Sequence, residues 1–172
     1  MKRTKTKQVA LCALLIALAL GLSYVERFIP LQLVVPLPGV KLGLANIVTL
    51  MALYFLGPKT AFTVLVLRCF LGSLFGGGIS GLAFSLAGGL LAMCSMALLR
   101  RAPFLSVYGV SVCGAAAHNL GQILAAMVLL GSTYVAAYLP LLLTVAVGTG
   151  LVTGAACAGS FRALKAAGVQ GL

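Results

Sequence analysis

The chain has 172 residues, of which 62% are hydrophobic and 8% are charged, with a mean hydropathy of +1.20. Twelve lysines and arginines face a single acidic residue, Glu26, which gives a formal net charge of +11. Because a soluble domain carries about 25% charged residues, this composition excludes a water-soluble globular protein and predicts one integral membrane domain over residues 1–172.

The first predicted element is a helix over residues 8–24, which follows the basic start MKRTKTK. A secretory signal peptide begins in a similar way. Since no small-x-small cleavage site precedes a polar mature domain, we interpret this run as a retained transmembrane helix.

Five further apolar runs predict helices, because each is bounded by glycine, proline or arginine. They cover residues 44–56, 60–74, 82–99, 107–130 and 138–161. The run at 44–56 is short for a membrane span, which indicates a tilted helix or an earlier start. The expected fold is an all-α integral membrane protein, a compact bundle of about six transmembrane helices.

The basic residues predict the orientation of this bundle, because lysine and arginine accumulate in cytoplasmic loops. A cytoplasmic N-terminus leaves only Arg27 and Lys41 in an outer loop, and it places the C-terminus in the cytoplasm as well. The charges therefore act as topology signals, and no basic patch with interleaved aromatic residues indicates a nucleic-acid partner.

The outer loop at 25–43 contains the apolar, proline-rich stretch VERFIPLQLVVPLPGV. Because proline disfavours a continuous helix, we expect extended chain near the outer membrane face. Two interpretations remain open, a cap over a pocket and an interfacial linker.

Polar side chains are rare inside the predicted helices, and each needs a partner because the bilayer offers no water. His118, Asn119 and Gln122 form one polar wedge on the fifth helix, since residues i and i+4 lie on the same face. The wedge is either the wall of a ligand pocket or a set of hydrogen bonds between helices. With Asn46 and Arg68, these residues are our candidate substrate-binding set.

Arg68 is the costliest of these residues, at about 2.5 kcal/mol or more for a central arginine in a bilayer. Glu26 is a candidate partner if the outer loop folds inward. An anionic ligand or a cluster of carbonyl groups is the alternative.

No catalytic arrangement is expected in this chain. It has no glycine-rich loop ending in GK[ST], one carboxylate, one histidine and five cysteines scattered without metal-ligand spacing. We therefore predict that the chain is not an enzyme by itself and holds neither a metal nor a cofactor.

Three segments carry a family resemblance: KLGLANIVTLMALYFLGPKTAFTVLVLRCFLGSLFGGG (41–78), FSLAGGLLAMCSMALLRR (84–101) and GVSVCGAAAHNLGQ (109–122). They resemble the bacterial family described as Gx transporter or heptaprenyl diphosphate synthase component I. The likeness covers nearly the whole chain, with AHNLGQ and LGLANI as its most specific parts.

More distantly, the layout is similar to the substrate-binding S components of energy-coupling factor (ECF) transporters, which are six-helix proteins of the bacterial cytoplasmic membrane. That resemblance implies that the first outer loop covers the substrate. It also implies that an AxxxA motif, matched by Ala13 and Ala17 with Gly21 four residues on, docks on a membrane coupling subunit. The ATPases would then be separate chains.

Three functions are open at this stage. The first is a membrane subunit that binds a small molecule or vitamin for an importer of this type. The second is a membrane component of a flavin- or quinone-linked electron-transfer assembly. The third is an accessory subunit of polyprenyl (heptaprenyl) diphosphate synthesis, in which a partner supplies the aspartate-rich Mg²⁺ sites, because this chain has no aspartate.

Overall fold

The structure is a computed structural model and describes residues 5–29 and 40–166. These residues form six α-helices, and we number them α1 to α6 in chain order. They are α1 (Lys5–Val25), α2 (Asn46–Phe55), α3 (Pro58–Gly72), α4 (Gly78–Leu99), α5 (Val107–Leu130) and α6 (Leu139–Ala166). The predicted all-helical fold class is confirmed.

The predicted helix bounds are closest where the sequence contains a clear start and stop. Helix α5 has the predicted range, because the Ser106 side chain caps its first turn by accepting a hydrogen bond from the Gly109 N–H at 3.3 Å. Its last turn is followed by Gly131, whose φ of 62° is a left-handed conformation that favours glycine.

Helix α4 begins four residues earlier than predicted, at Gly78 instead of residue 82. Residues 76–81 have the glycine-rich sequence GGGISG, in which a helix start is not marked. Non-helical dihedral angles inside the π-helical turn Ser73–Gly77 are confined to Phe75 and Gly76, and Gly78 follows with a φ of 62°. Two glycines with positive φ are therefore enough to reverse the chain between α3 and α4.

The protein is a membrane protein with four helical stretches that are long and apolar enough to cross a bilayer. They are Thr6–Phe28, Pro58–Leu99, Val107–Leu130 and Thr133–Ala166, and the second of these contains both α3 and α4. Helix α2 has 10 residues, about 15 Å of helix against a hydrocarbon core of about 30 Å. The count of six spans and the cytoplasmic termini remain predictions.

Helices α4, α5 and α6 approach one another closely through glycines. A Cβ atom on Gly121 would lie 2.5 Å from the carbonyl oxygen of Ala87, and one on Gly150 would lie 2.5 Å from the Cα atom of Val112. Such contacts are typical of membrane helices, whose association depends on backbone approach and van der Waals packing.

Helix α2 lies within the bundle, and its core side chains belong to the largest group of buried apolar residues. Leu50 and Leu53 are fully buried beside Leu65 of α3 and Met96 of α4. The carbonyl oxygen of Leu53 accepts a short hydrogen bond from the Arg100 guanidinium. A cation thus satisfies a carbonyl at the C-terminal end of α2, where such charges are favourable.

Candidate functional site

The segment at residues 40–45 leads into α2 without helical structure, and two side chains from other elements hold its backbone. The Gly43 N–H donates a hydrogen bond to Glu26 Oε1 at 2.5 Å, and the Lys41 N–H donates one to Gln122 Oε1 at 3.2 Å. Glu26 is buried in the short 3₁₀ turn Glu26–Phe28 after α1. We call residues 40–45 the entry segment.

His118 and Gln122 of α5 form one hydrogen-bonded pair beneath the entry segment. Gln122 Nε2 lies 2.8 Å from His118 Nε2. Since Gln122 Oε1 already accepts from Lys41, the amide nitrogen is the donor and His118 Nε2 the acceptor. A neutral imidazole then carries its proton on Nδ1, and this atom has no partner among the residues the structure describes.

The imidazole of His118 is enclosed by glycine backbone on two sides. A Cβ atom on Gly43 would lie 2.8 Å from His118 Cδ2, and one on Gly88 would lie 2.7 Å from His118 Nδ1. The ring therefore fills the space between the entry segment and α4. This placement makes His118 part of the support for the entry segment.

Asn119 faces a different neighbour from His118 and Gln122. Its Nδ2 atom donates a hydrogen bond to the carbonyl oxygen of Leu142 at 2.6 Å, which joins α5 to α6. This is the helix-to-helix role that was one of the two open interpretations of the polar wedge.

Arg68 of α3 lies at the inner side of the entry segment, with 7% of its surface exposed. Its NH2 group donates to Asn46 Oδ1 at 3.4 Å, while Nε has no hydrogen-bond partner in the described parts of the chain. Among the described residues the Arg68 side chain bonds to Asn46 and not to Glu26, the candidate partner, whose Oε1 accepts from the Gly43 N–H. The charges of Lys41 and Arg68 still act on the Glu26 carboxylate.

A cavity of about 310 Å³ opens beside Arg68. Its walls come from the C-terminal ends of α1 and α3, the start of α4 and the entry segment. Three cationic side chains line it: Arg27, Lys41 and Arg68. In the predicted orientation, this end of the bundle faces the outer side of the membrane.

The remaining cavity walls combine hydroxyl groups with apolar surface. Ser23, Tyr24 and Ser85 supply hydroxyls, and the apolar part includes Leu20, Cys69 and Phe75. The Lys41 ammonium donates to Ser85 Oγ at 3.1 Å. Burial lowers the pKa of Lys41; the Glu26 carboxylate opposes this shift and the Arg68 guanidinium adds to it.

The rim of the cavity is held by Arg27. Its NH2 group donates to the carbonyl oxygen of Phe75 at 3.2 Å, and its guanidinium carbon lies 5.8 Å from the centre of the Tyr24 ring. Arg27 thus connects the end of α1 to the turn between α3 and α4.

The structure brings four of the five predicted site residues to the entry segment or the cavity. Arg68 lines the cavity, Asn46 bonds Arg68, and His118 and Gln122 support the entry segment, whereas Asn119 joins α5 to α6. The prediction missed Lys41, Arg27 and Ser85 as cavity residues. The signal for the two cations was in the sequence, since they are the lysine and arginine that the positive-inside rule leaves in an outer loop.

Two further predictions concern a face of α1, whose Gly21 also lines the cavity, and the outer loop. Ala13, Ala17 and Gly21, the predicted docking residues, are all exposed on α1, and a Cβ atom on Gly21 would have no neighbour within 4 Å. The predicted covering role of the outer loop falls mostly on residues 30–39, which lie outside the described residues.

Within residues 5–29 and 40–166, no group of three or more His, Cys, Asp or Glu side chains is arranged to hold a metal ion. The five cysteines of the chain lie in these residues and are free thiols. The cavity chemistry is therefore that of cations, hydroxyls and apolar walls.

Comparison with known protein families identifies a match. The family model described as heptaprenyl diphosphate synthase component I matches residues 15–159. No curated protein and no solved structure matches the chain significantly. The matched range contains α2 to α5, most of α1 and α6, and every residue of the entry segment and cavity named above.

Proposed function

For a chain that belongs to the heptaprenyl diphosphate synthase component I family and is built as a membrane helical bundle, we propose a role as a substrate-binding membrane subunit. In this proposal it captures a small molecule at the outer face of the bacterial cytoplasmic membrane. Separate coupling and ATPase chains energise import, as in ECF transporters.

The observation that carries this proposal is the cavity of about 310 Å³ at the predicted outer end of the bundle. Ligand sites in proteins are concave, with apolar walls and a few convergent polar groups, and occupy about 300–1,000 Å³. The cavity has this composition, and Arg68 at its wall has an unpartnered Nε atom within the described residues. We propose Arg68 as a ligand-contacting residue, with Asn46, His118 and Gln122 as its supporting set.

The proposed docking surface is the exposed small-residue face of α1, formed by Ala13, Ala17 and Gly21. Small residues at a spacing of four allow close contact with another membrane helix. The proposal therefore places substrate capture and partner binding on neighbouring parts of α1.

A second candidate is an accessory subunit of polyprenyl diphosphate synthesis. It is favoured by the description of the family, since a component I implies at least one further component. In this candidate the partner synthase supplies the catalytic carboxylates, because the chain contains one acidic residue in total.

The experiment that tests the proposal is affinity purification of the tagged chain from its native cells in mild detergent, with mass spectrometry of co-purifying proteins and metabolites. We expect a membrane coupling subunit and two ATPases. A double variant, Ala13→Leu with Ala17→Leu, should lose these partners because the added side chains block close approach of a helix. Ala155→Leu, which adds the same bulk at an exposed position of α6, should retain them.

Recovery of a prenyl synthase without ATPases would contradict the importer role and support the second candidate. Recovery of flavoproteins alone would contradict both. Loss of partners in the Ala155→Leu control would show that the α1 face is not the specific docking surface.

A further inference from the structure

We propose that the ligand of the cavity is a compact, water-soluble organic dianion with an apolar body, such as a phosphomonoester or a dicarboxylate. This inference rests on the proposed binding function and adds the chemical class of the ligand. It is carried by the charges that line the cavity, by one unpartnered guanidinium atom and by the nature of the remaining walls.

The charges of the cavity are unbalanced. Arg27, Lys41 and Arg68 line it, while Glu26, the only acidic residue of the chain, is bonded to the entry segment and is not part of the lining. Counting Glu26 as a neighbour, the formal charges of the region sum to +2, with Arg27 exposed to solvent and Arg68 and Lys41 buried or half-buried. A ligand with two negative charges balances them, and it gains from the reduced dielectric of a partly buried site.

Arg68 has donor capacity that the described residues leave unused. Its NH2 group is bonded to Asn46, and its Nε atom is buried and has no hydrogen-bond partner within residues 5–29 and 40–166. A buried donor that lacks an acceptor has lost its hydration without compensation and is destabilising. Phosphate and carboxylate oxygens match the fork of a guanidinium group, so an anion in the cavity is a suitable acceptor for this atom.

Lys41 also lines this cavity. Its ammonium group makes a hydrogen bond to Ser85 Oγ at 3.1 Å, which leaves two of its three donors for a ligand. Because its backbone N–H is fixed by Gln122, the side chain starts from a defined position. Arg68 and Lys41 thus form a pair of cations that can contact two ends of one anionic group.

The other walls determine the size and the body of the ligand. Leu20, Cys69 and Phe75 offer apolar surface, and a volume of about 310 Å³ lies at the lower end of the range for small-molecule sites. A ring or a short branched chain with one doubly charged group or two charged groups fits both requirements. A large neutral ligand fits neither.

The test uses a fluorescent reporter, because the chain contains no tryptophan. Phe75→Trp places a single indole at the rim of the cavity, where the native side chain is 71% exposed. The full chain is reconstituted in nanodiscs of zwitterionic lipid at about pH 8, where a phosphomonoester is a dianion. Phenyl phosphate, phthalate and neutral benzamide are titrated at constant ionic strength.

We expect saturable fluorescence changes with phenyl phosphate and phthalate, at affinities at least about tenfold above that of benzamide, a difference of about 1.4 kcal/mol. Arg68→Gln should weaken both dianions by about tenfold or more and leave benzamide unchanged. Arg101→Gln is the matched control, since it removes the same charge from an exposed residue beyond the end of α4. It should bind dianions like the parent.

If Arg68→Gln does not fold, Lys41→Gln provides the same measurement. The Lys41 side chain is only partly buried, and within the described residues its hydrogen bond goes to Ser85, so its loss should disturb the fold less. Equal affinities for benzamide and the dianions, no response to either dianion, or an equal loss in Arg101→Gln would overturn the proposal. Loss of the dianion response on adding phosphatidylglycerol to the discs would assign the site to lipid phosphates and overturn a water-soluble ligand.

The two proposals fail separately. If the purification recovers ATPases but the chain binds no dianion, the importer role is supported and the proposed ligand class is contradicted. If the chain binds dianions through Arg68 but co-purifies with no ATPase, the ligand class is supported and the importer role is contradicted.

Discussion

Gly43 is the residue on which the geometry of the entry segment most depends. Its φ of 84° favours glycine, and a Cβ atom there would lie 2.8 Å from His118 Cδ2 and 2.9 Å from Asn46 Nδ2. Gly43→Ala should therefore lower the free energy of unfolding by the backbone strain, about 1–2 kcal/mol, and by a further 1–3 kcal/mol or so for overpacking. Thermal unfolding in detergent measures the effect.

Gly57 provides the matched control at the residue scale. Its φ is 86°, close to that of Gly43, and a Cβ atom there would meet nothing within 4 Å. Gly57→Ala should show the strain alone. A loss in Gly43→Ala no larger than the strain of a left-handed residue, about 1–2 kcal/mol, would contradict the close contact between Gly43 and the His118 ring.

At the scale of elements, α4 and α5 are joined through backbone that touches backbone. A Cβ atom on Gly121 would lie 2.5 Å from the Ala87 carbonyl oxygen, and because both groups belong to main chain, the helices must separate to admit it. Gly121→Ala should lower the free energy of unfolding by about 1–3 kcal/mol, which a fall in the thermal unfolding temperature in detergent measures. The separation should also disturb the His118–Gln122 pair, because Gln122 directly follows Gly121 and His118 lies one turn before it.

Gly148 of α6 is the corresponding control, since a Cβ atom there would have no neighbour within 4 Å. Gly148→Ala should leave stability unchanged or raise it by up to about 1 kcal/mol, because alanine is the better helix former. A stabilising effect of Gly121→Ala would show that the α4–α5 contact is looser than described.

At the scale of the whole molecule, the distribution of charge predicts how the bundle lies in the membrane. The cations Arg100 and Arg101 lie at the end of α4, opposite to the end that carries Arg27 and Lys41 around the cavity. The positive-inside rule places the end with Arg100 and Arg101 in the cytoplasm. Green fluorescent protein fused to the C-terminus should therefore fluoresce. Alkaline phosphatase fused after Ser132 should be active, because this loop would then lie outside the membrane. A dark C-terminal fusion together with an inactive phosphatase would invert the orientation and place the cavity on the cytoplasmic side.

The sequence predicts the helices of this molecule better than it predicts its site. Both bounds of helix α5 agree with the prediction, because Ser106 caps its N-terminal end and Gly131 its C-terminal end. The α4 start was missed because a run of three glycines gives no sign of which ones take positive φ. Arg68 was singled out because an arginine in an apolar run is costly, and its partner stayed open because composition does not show which polar group lies beside it.

The other contacts of the site could not be predicted from local sequence patterns. The bond from Lys41 to Gln122 joins residues 81 positions apart, and the bond from Lys41 to Ser85 spans 44 positions. Only the packing of α4 and α5 against the entry segment creates these contacts. Local periodicity identifies polar residues that need partners, while the tertiary fold determines which partners they receive.

The two bonds that hold the entry segment also constrain how it moves. Glu26 and Gln122 hold alternate backbone N–H groups, those of Gly43 and Lys41. A partial opening that releases one bond leaves a buried acceptor unmet, at about 1–3 kcal/mol, while the other bond still anchors the chain. Full release lets both acceptors reach water together, so we expect the two bonds to break together and not one at a time.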